Sequence, residues 1–144
     1  MKMNNYLKEL GLKWYDLPGN YNEKLSKNIK LSDVAAADLR NKEDKDGFCD
    51  YEFFSLDYSM ALYIYPRLCY FRDHIAPMAT PGCFSSLGEV KENEGQDLWI
   101  EILNKMCEAF KLIILGEAGD NGINLFKVNE GLHLFAEYYL NLWY

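Results

Sequence analysis

The sequence predicts an all-α fold: a small bundle of three main helices preceded by a less regular N-terminal segment. Two observations carry this. In three segments apolar residues recur at three- and four-residue steps, which is the period of one helix face. Clusters of Gly and Pro separate those segments, and none of them alternates convincingly as a strand would. The chain has 144 residues, 49% hydrophobic and 26% charged, the size and composition of one globular domain. A wholly disordered chain and a disulfide miniprotein are excluded on that composition.

Residues 1–46 read as an irregular N-terminal segment with short helices, and residues 47–144 as the helical core domain. In the first part Tyr6, Leu7, Leu10 and Leu12 suit a short amphipathic turn, interrupted by Gly11. Pro18-Gly19-Asn20 is a turn signal, and Ser32 can cap a short helix through Leu39. A polar run from Asn41 to Gly47 closes this part.

The first main helix is expected over 51–75, with Asp50 as cap and Glu52 in its first turn. Its apolar face runs through Phe53, Phe54, Met60, Ala61, Ile64, Leu68, Phe71 and Ile75. Pro66 has no N–H to give, so a kink is expected there. Residues 77–95 hold Pro77, Pro81, Gly82, Gly88 and Gly95 and read as a long loop. The second helix, 97–115, carries Trp99, Ile102, Leu103, Met106, Phe110 and Ile114 on one face, and Gly116 stops it. The third, 129–143, starts at Asn129 and aligns Leu132, Phe135, Ala136, Tyr139, Leu140 and Trp143. The expected core is Phe54, Ala61, Ile64, Leu68, Leu103, Met106, Phe110, Leu132, Phe135 and Tyr139.

The net charge is -7, and it is unevenly spread. Residues 1–45 carry a net +2 and residues 46–144 a net -9. An acidic body repels a nucleic-acid backbone and an anionic bilayer, so neither direct nucleic-acid binding nor membrane binding is expected. The N-terminus is polar from its start, without the apolar stretch of a secretory signal, and a cytoplasmic location is expected. The cysteines at 49, 69, 83 and 107 form no C-x-x-C pair, which leaves zinc and thioredoxin-like sites without support. Cys69 and Cys107 fall inside helical patterns, where a reduced Cys acts as a small apolar residue.

Three blocks of the chain carry a recurrent pattern. The first holds Leu56-Asp57, Pro66-Arg67-Leu68 and Phe71. The second holds Trp99, Ile102-Leu103, Lys105-Met106 and Ala109-Phe110, and the third Glu130-Gly131-Leu132, Leu134-Phe135-Ala136 and Leu142-Trp143. Taken in this order, over residues 47–144, they resemble a widespread family of small uncharacterised bacteriophage proteins. A His-Gly-Tyr-Pro-like element of that family is replaced here by His74-Ile75-Ala76-Pro77. The resemblance implies a phage origin, an all-α fold and action in the host cytosol during infection. It implies no activity.

No catalytic motif is present: no Gly-rich phosphate loop follows a strand, and no Cys–His pair has local support. The expectation is therefore a non-enzymatic binding protein with no cofactor and no metal. Aromatic residues make up 15% of the chain and suit a pocket for a nucleobase. The candidate ligand-binding residues are Asp57 for a sugar hydroxyl, Arg67 and Arg72 for phosphate, and Tyr63 or Trp99 against a base. Such a site would sequester a small nucleotide-like host defence signal. The alternative is an acidic inhibitor that docks on a basic surface of a host nuclease or defence protein. A homo-oligomer, most simply a dimer, is expected because three helices cannot hide this much apolar surface.

Overall fold

The computed structural model describes residues 4–13, 50–85 and 92–143. The expected turn at Pro18, the helix from Ser32 and the polar run from Asn41 lie outside them. The described residues form helices and turns and contain no strand, so the fold is all-α. None of these helices is long and apolar enough to cross a membrane. The elements are α1 (Asn5–Glu9), a 3-10 turn (Asp50–Phe53), α2 (Leu56–Tyr70), a π-helical turn (Phe71–Ile75), α3 (Gly82–Ser85), α4 (Glu92–Ile114), α5 (Gly122–Tyr138) and a final 3-10 turn (Tyr139–Asn141). Two compact units divide the chain, Met1–Tyr63 and Ile64–Tyr144, with the division inside α2.

In the first unit, the Asn4 side chain accepts a hydrogen bond from the Leu7 N–H at 3.1 Å and so caps α1. Gly11 follows with φ 80°, a left-handed conformation that glycine adopts without steric cost. Leu7 is fully buried. The expected helix from residue 51 instead opens as a 3-10 turn, and α2 begins only at Leu56. The Ser59 hydroxyl donates to the Glu52 carbonyl and joins the turn to α2. Asp57, rather than Glu52, is the acid in the first turn of α2. Phe54 stands at the break between turn and helix, on no helical face, and is 82% exposed.

α2 continues as α-helix through Pro66. Beyond Tyr70 the helix widens by one residue per turn, and the Ala76 N–H donates to the Phe71 carbonyl five positions back. The expected loop over 77–95 is partly helical, since α3 and the start of α4 fall inside it. α3 lies against α4 where Gly95 meets the Phe84 backbone, and a Cβ at Gly95 would overlap the Phe84 carbonyl. The Gln96 carboxamide donates to the Pro77 carbonyl and fastens the exit of the π turn to α4.

The end of α4 is closed by two bonds. Gly116 N–H donates to Ile113 and Glu117 N–H to Leu112, with Gly116 at φ 71°, the Schellman arrangement. α5 then starts seven residues before the expected Asn129. The Asn121 side chain accepts from the Asn124 N–H at 2.8 Å, so the Gly119–Gly122 cluster holds the cap of α5 as well as the stop of α4.

α4 makes its most extensive packing with α5. The two backbones come together at Gly131, where an added Cβ would collide with the Ala109 Cβ and the Lys105 carbonyl. This close approach determines which face of α5 points inward: Val128 and Gly131 are buried, and Leu134, Phe135 and Tyr138 half-buried. The stripe expected from periodicity lies one position round the helix, so Leu132 and Tyr139 are 37% and 59% exposed instead of core. Ala61, Leu68, Leu103, Met106 and Phe110 are buried as expected. Phe110 meets Phe135 edge to face at 5.2 Å.

Gly131→Ala is expected to destabilise the protein by about 1–3 kcal/mol, because backbone cannot yield as a side chain can. Gly122→Ala, with open space around it, is expected to be neutral or stabilising by a few tenths of a kcal/mol. Denaturant titration of both variants checks the contrast.

Candidate functional site

The five residues expected to bind a ligand are distributed as follows. Asp57 and Tyr63 belong to the first unit, and Arg67, Arg72 and Trp99 to the second. Asp57 is exposed in the first turn of α2, and its carboxylate accepts from the Ser55 hydroxyl at 2.7 Å. That bond, with help from the Tyr58 N–H, holds its pKa below the ordinary value. Tyr63 and Arg67 are exposed on α2.

Arg72 lies on the π turn with its fork already engaged. Its Nε and Nη2 donate to the Asp73 carboxylate at 2.7 and 3.2 Å, and Nη1 donates to Asn104 Oδ1 on α4 at 3.2 Å. Hydrogen bonding to Asp73 raises its pKa further, against a smaller opposing effect of burial.

Trp99 is fully buried on α4. Phe84 and Tyr138 lie 5.6 and 5.8 Å from its ring, and Phe71 adds an edge contact at 6.4 Å. With its ring packed in this way, stacking on a base would require the aromatic cluster to open. Its Nε1–H is the one buried side-chain polar atom among the described residues that has no hydrogen-bond partner.

A cluster the sequence did not announce lies where the end of α2 meets α4. Cys69 and Cys107 are both buried free thiols, and each bears on the other's pKa. Tyr65, one turn before Cys69, and the Arg72 charge act on the same titration. The hydrogen bond from Cys107 lowers the pKa of Cys69, with the Tyr65 hydroxyl and the Arg72 charge adding to it against burial. The same bond raises Cys107, and burial raises it further. Burial raises Tyr65, with the Cys69 sulfur next in effect. The signal available in the sequence was the four-residue step from Tyr65 to Cys69, which places both on one helix face. Nothing local linked either to Cys107, on another helix.

An open groove of about 340 Å³ runs along α4 and α5, lined by Glu101, Asn104, Lys105, Glu108, Lys127 and Glu130. Lys105 crosses it to Glu130 at 2.8 Å. No group of three or more His, Cys, Asp or Glu side chains among the described residues is arranged to hold a metal ion. No protein-family model, curated protein or solved structure matches this chain.

Two measurements check this geometry. Trp99→Ala is expected to cost about 3–5 kcal/mol by opening a cavity, and Trp99→Phe much less, since it removes the orphaned N–H along with ring volume; chemical denaturation gives both. The Glu130 bond raises the pKa of Lys105 above its ordinary 10.5. Its stabilising effect is therefore complete below that pH and is lost as pH rises through the higher folded-state value. The stability difference between the parent chain and Lys105→Met should accordingly shrink in that alkaline window, as followed by thermal unfolding.

Proposed function

We propose that this chain is a non-enzymatic binding protein, its three main helices packed as a bundle, that docks on another protein through the outer face of α5. One observation carries the reading. Along that helix Ile123, Leu125, Phe126 and Leu132 are exposed, and Leu140 and Trp143 continue the exposed surface beyond it. Exposed large apolar side chains gathered on one helix favour an interaction surface more than the same residues scattered singly over a chain would.

Charge adds a second constraint. Residues 46–144 carry a net -9, so a partner with an apolar cleft and a basic rim would be drawn in at long range and held at short range. With the phage origin that the sequence resemblance implies, the partner is a host nuclease or another defence protein. Docking is favoured over capture of a nucleotide because Arg72 is already committed to Asp73 and Asn104, and Trp99 is enclosed.

The test uses immobilised parent chain and a Phe126→Glu/Leu132→Glu variant, each exposed to host lysate, with the variant's folding verified by circular dichroism. One basic host protein retained by the parent and lost by the variant, and bound again when purified alone, is the expected result. Equal retention by both chains removes the docking face. A nucleotide released on denaturing the parent points to the small-ligand reading instead. A two-fold dimer closed by the same face, seen by light scattering in the parent and absent in the variant, makes the partner a second copy.

A further inference from the structure

We propose that the partner's docking element is an amphipathic α-helix with basic flanks, which lies lengthwise on the outer face of α5. The proposal rests on the docking reading above and names the chemistry of its partner. Its first basis is spacing. Leu125, Asn129, Leu132, Ala136 and Tyr139 follow one another at alternating steps of four and three residues, and all five are exposed. Phe126, His133 and Leu140, at steps of seven, widen this stripe on one side and are exposed as well. Tyr139 and Leu140 stand in the 3-10 turn that continues α5. A seam that alternates fours and threes is the one by which a helix packs on a second helix nearly parallel or antiparallel to it. Here it extends for about 20 Å at ~1.5 Å per residue, a length that a loop or a period-two strand does not match.

The second basis is charge. None of the eight positions is Lys, Arg, Asp or Glu, although these make up 26% of the chain and about two would fall there by chance. Absence of charge beside exposed aromatic rings is the composition of an interface centre. Asn129 is the one amide in the seam. A single polar residue at such a position sets the register of a helix pair, because it is satisfied only opposite another hydrogen-bonding side chain. Along the edge of the stripe stand Glu130 and Glu137, seven residues apart. Glu130 is met by Lys105 at 2.8 Å, Glu137 is exposed, and Lys127 lies further round the helix. The surrounding chain, residues 46–144, is net -9. Basic flanks on the partner helix complement that edge and that field, whereas a second copy of this chain would bring the same acids against them.

The area available fits one helix. Phe126, Tyr139 and Trp143 are 66%, 59% and 64% exposed. At ~150–250 Å² for a whole aromatic side chain, these three offer roughly 350 Å². With the exposed parts of Leu125, Leu132 and Leu140 the surface approaches the ~600 Å² per partner at which small specific interfaces begin. The helix also comes prepared. The Asn121 cap starts α5, and the contact of Gly131 with α4 holds its inner side, so binding orders little of this chain. This is helix recognition with the receptor helix already in place.

The test titrates the full-length chain against labelled, helix-constrained synthetic peptides of about three heptads, followed by fluorescence anisotropy. One peptide has Leu along its seam, a single Asn to face Asn129, and Lys on its flanks. A second has Glu on the flanks, a third Leu in place of the Asn, and a fourth the first composition in scrambled order. The expected result is binding of the Lys-flanked peptide about tenfold or more tighter than the Glu-flanked one at low salt, with the gap closing at high salt. The scrambled peptide should not bind. Asn129→Leu should weaken binding of the Asn peptide several-fold and tighten that of the all-Leu peptide. The proposal is overturned if the scrambled or Glu-flanked peptide binds as well, if a folded Phe126→Glu/Leu132→Glu variant still binds, or if Asn129→Leu treats both peptides alike. A two-fold dimer that the Lys-flanked peptide cannot dissociate overturns it in favour of a second copy. A host protein held through Phe126 and Leu132 by a chain that ignores every peptide sinks the helix and spares the docking reading. Peptide binding without any retained host protein does the reverse.

Discussion

The contact of Gly131 with the Ala109 side chain and the Lys105 carbonyl is the constraint on which the α4–α5 pair depends. Two helix backbones can approach this closely only where one of them has no side chain. With that point set, the rotation of α5 about its own axis is set too. Val128 turns inward one helical turn before Gly131, and Leu134, Phe135 and Tyr138 follow on the same side. Phe135 reaches the edge of Phe110, and Tyr138 completes the enclosure of Trp99. The Lys105–Glu130 bridge lies at the border of the same seam, where an exposed ion pair adds little stability but is consistent with that rotation.

The same rotation has a cost on the other side. Leu125, Phe126, Leu132 and Leu140 are left facing water. Large apolar side chains left in water gain none of the free energy of burial, so these residues add little to the stability of the fold. The glycine on its inner side brings α5 close to α4, while the larger Leu125, Phe126 and Leu132 lie elsewhere on the helix.

The polar groups near the end of α2 and the middle of α4 fall into two kinds. The Arg72 guanidinium is answered on both sides, by the Asp73 carboxylate and the Asn104 carboxamide. Trp99 is the contrary case. Its ring is well packed, and its N–H goes without a partner, so its contribution is almost entirely that of packing.

The class of the fold was readable because it depends on local periodicity. Trp99, Leu103, Met106 and Phe110 recur at helical steps, and in the structure they are buried on one helix. Boundaries were less readable, since Asn121 and Asn129 are equally good caps on paper and only the bond to Asn124 distinguishes them. The candidate site was least readable. Arg72 and Trp99 were chosen by residue type, which cannot say that one is clamped by Asp73 and Asn104 and the other enclosed by Phe84 and Tyr138. The bearing of Cys107 on the pKa of Cys69 is of the same kind. By itself the sequence determined the helical class, the acidic body and the face on which each helix could be apolar. Only the tertiary structure decided which apolar face turned inward and which distant side chains met. Those outcomes depend on how closely two backbones can approach, and at Gly131 that distance is set by an atom the residue lacks.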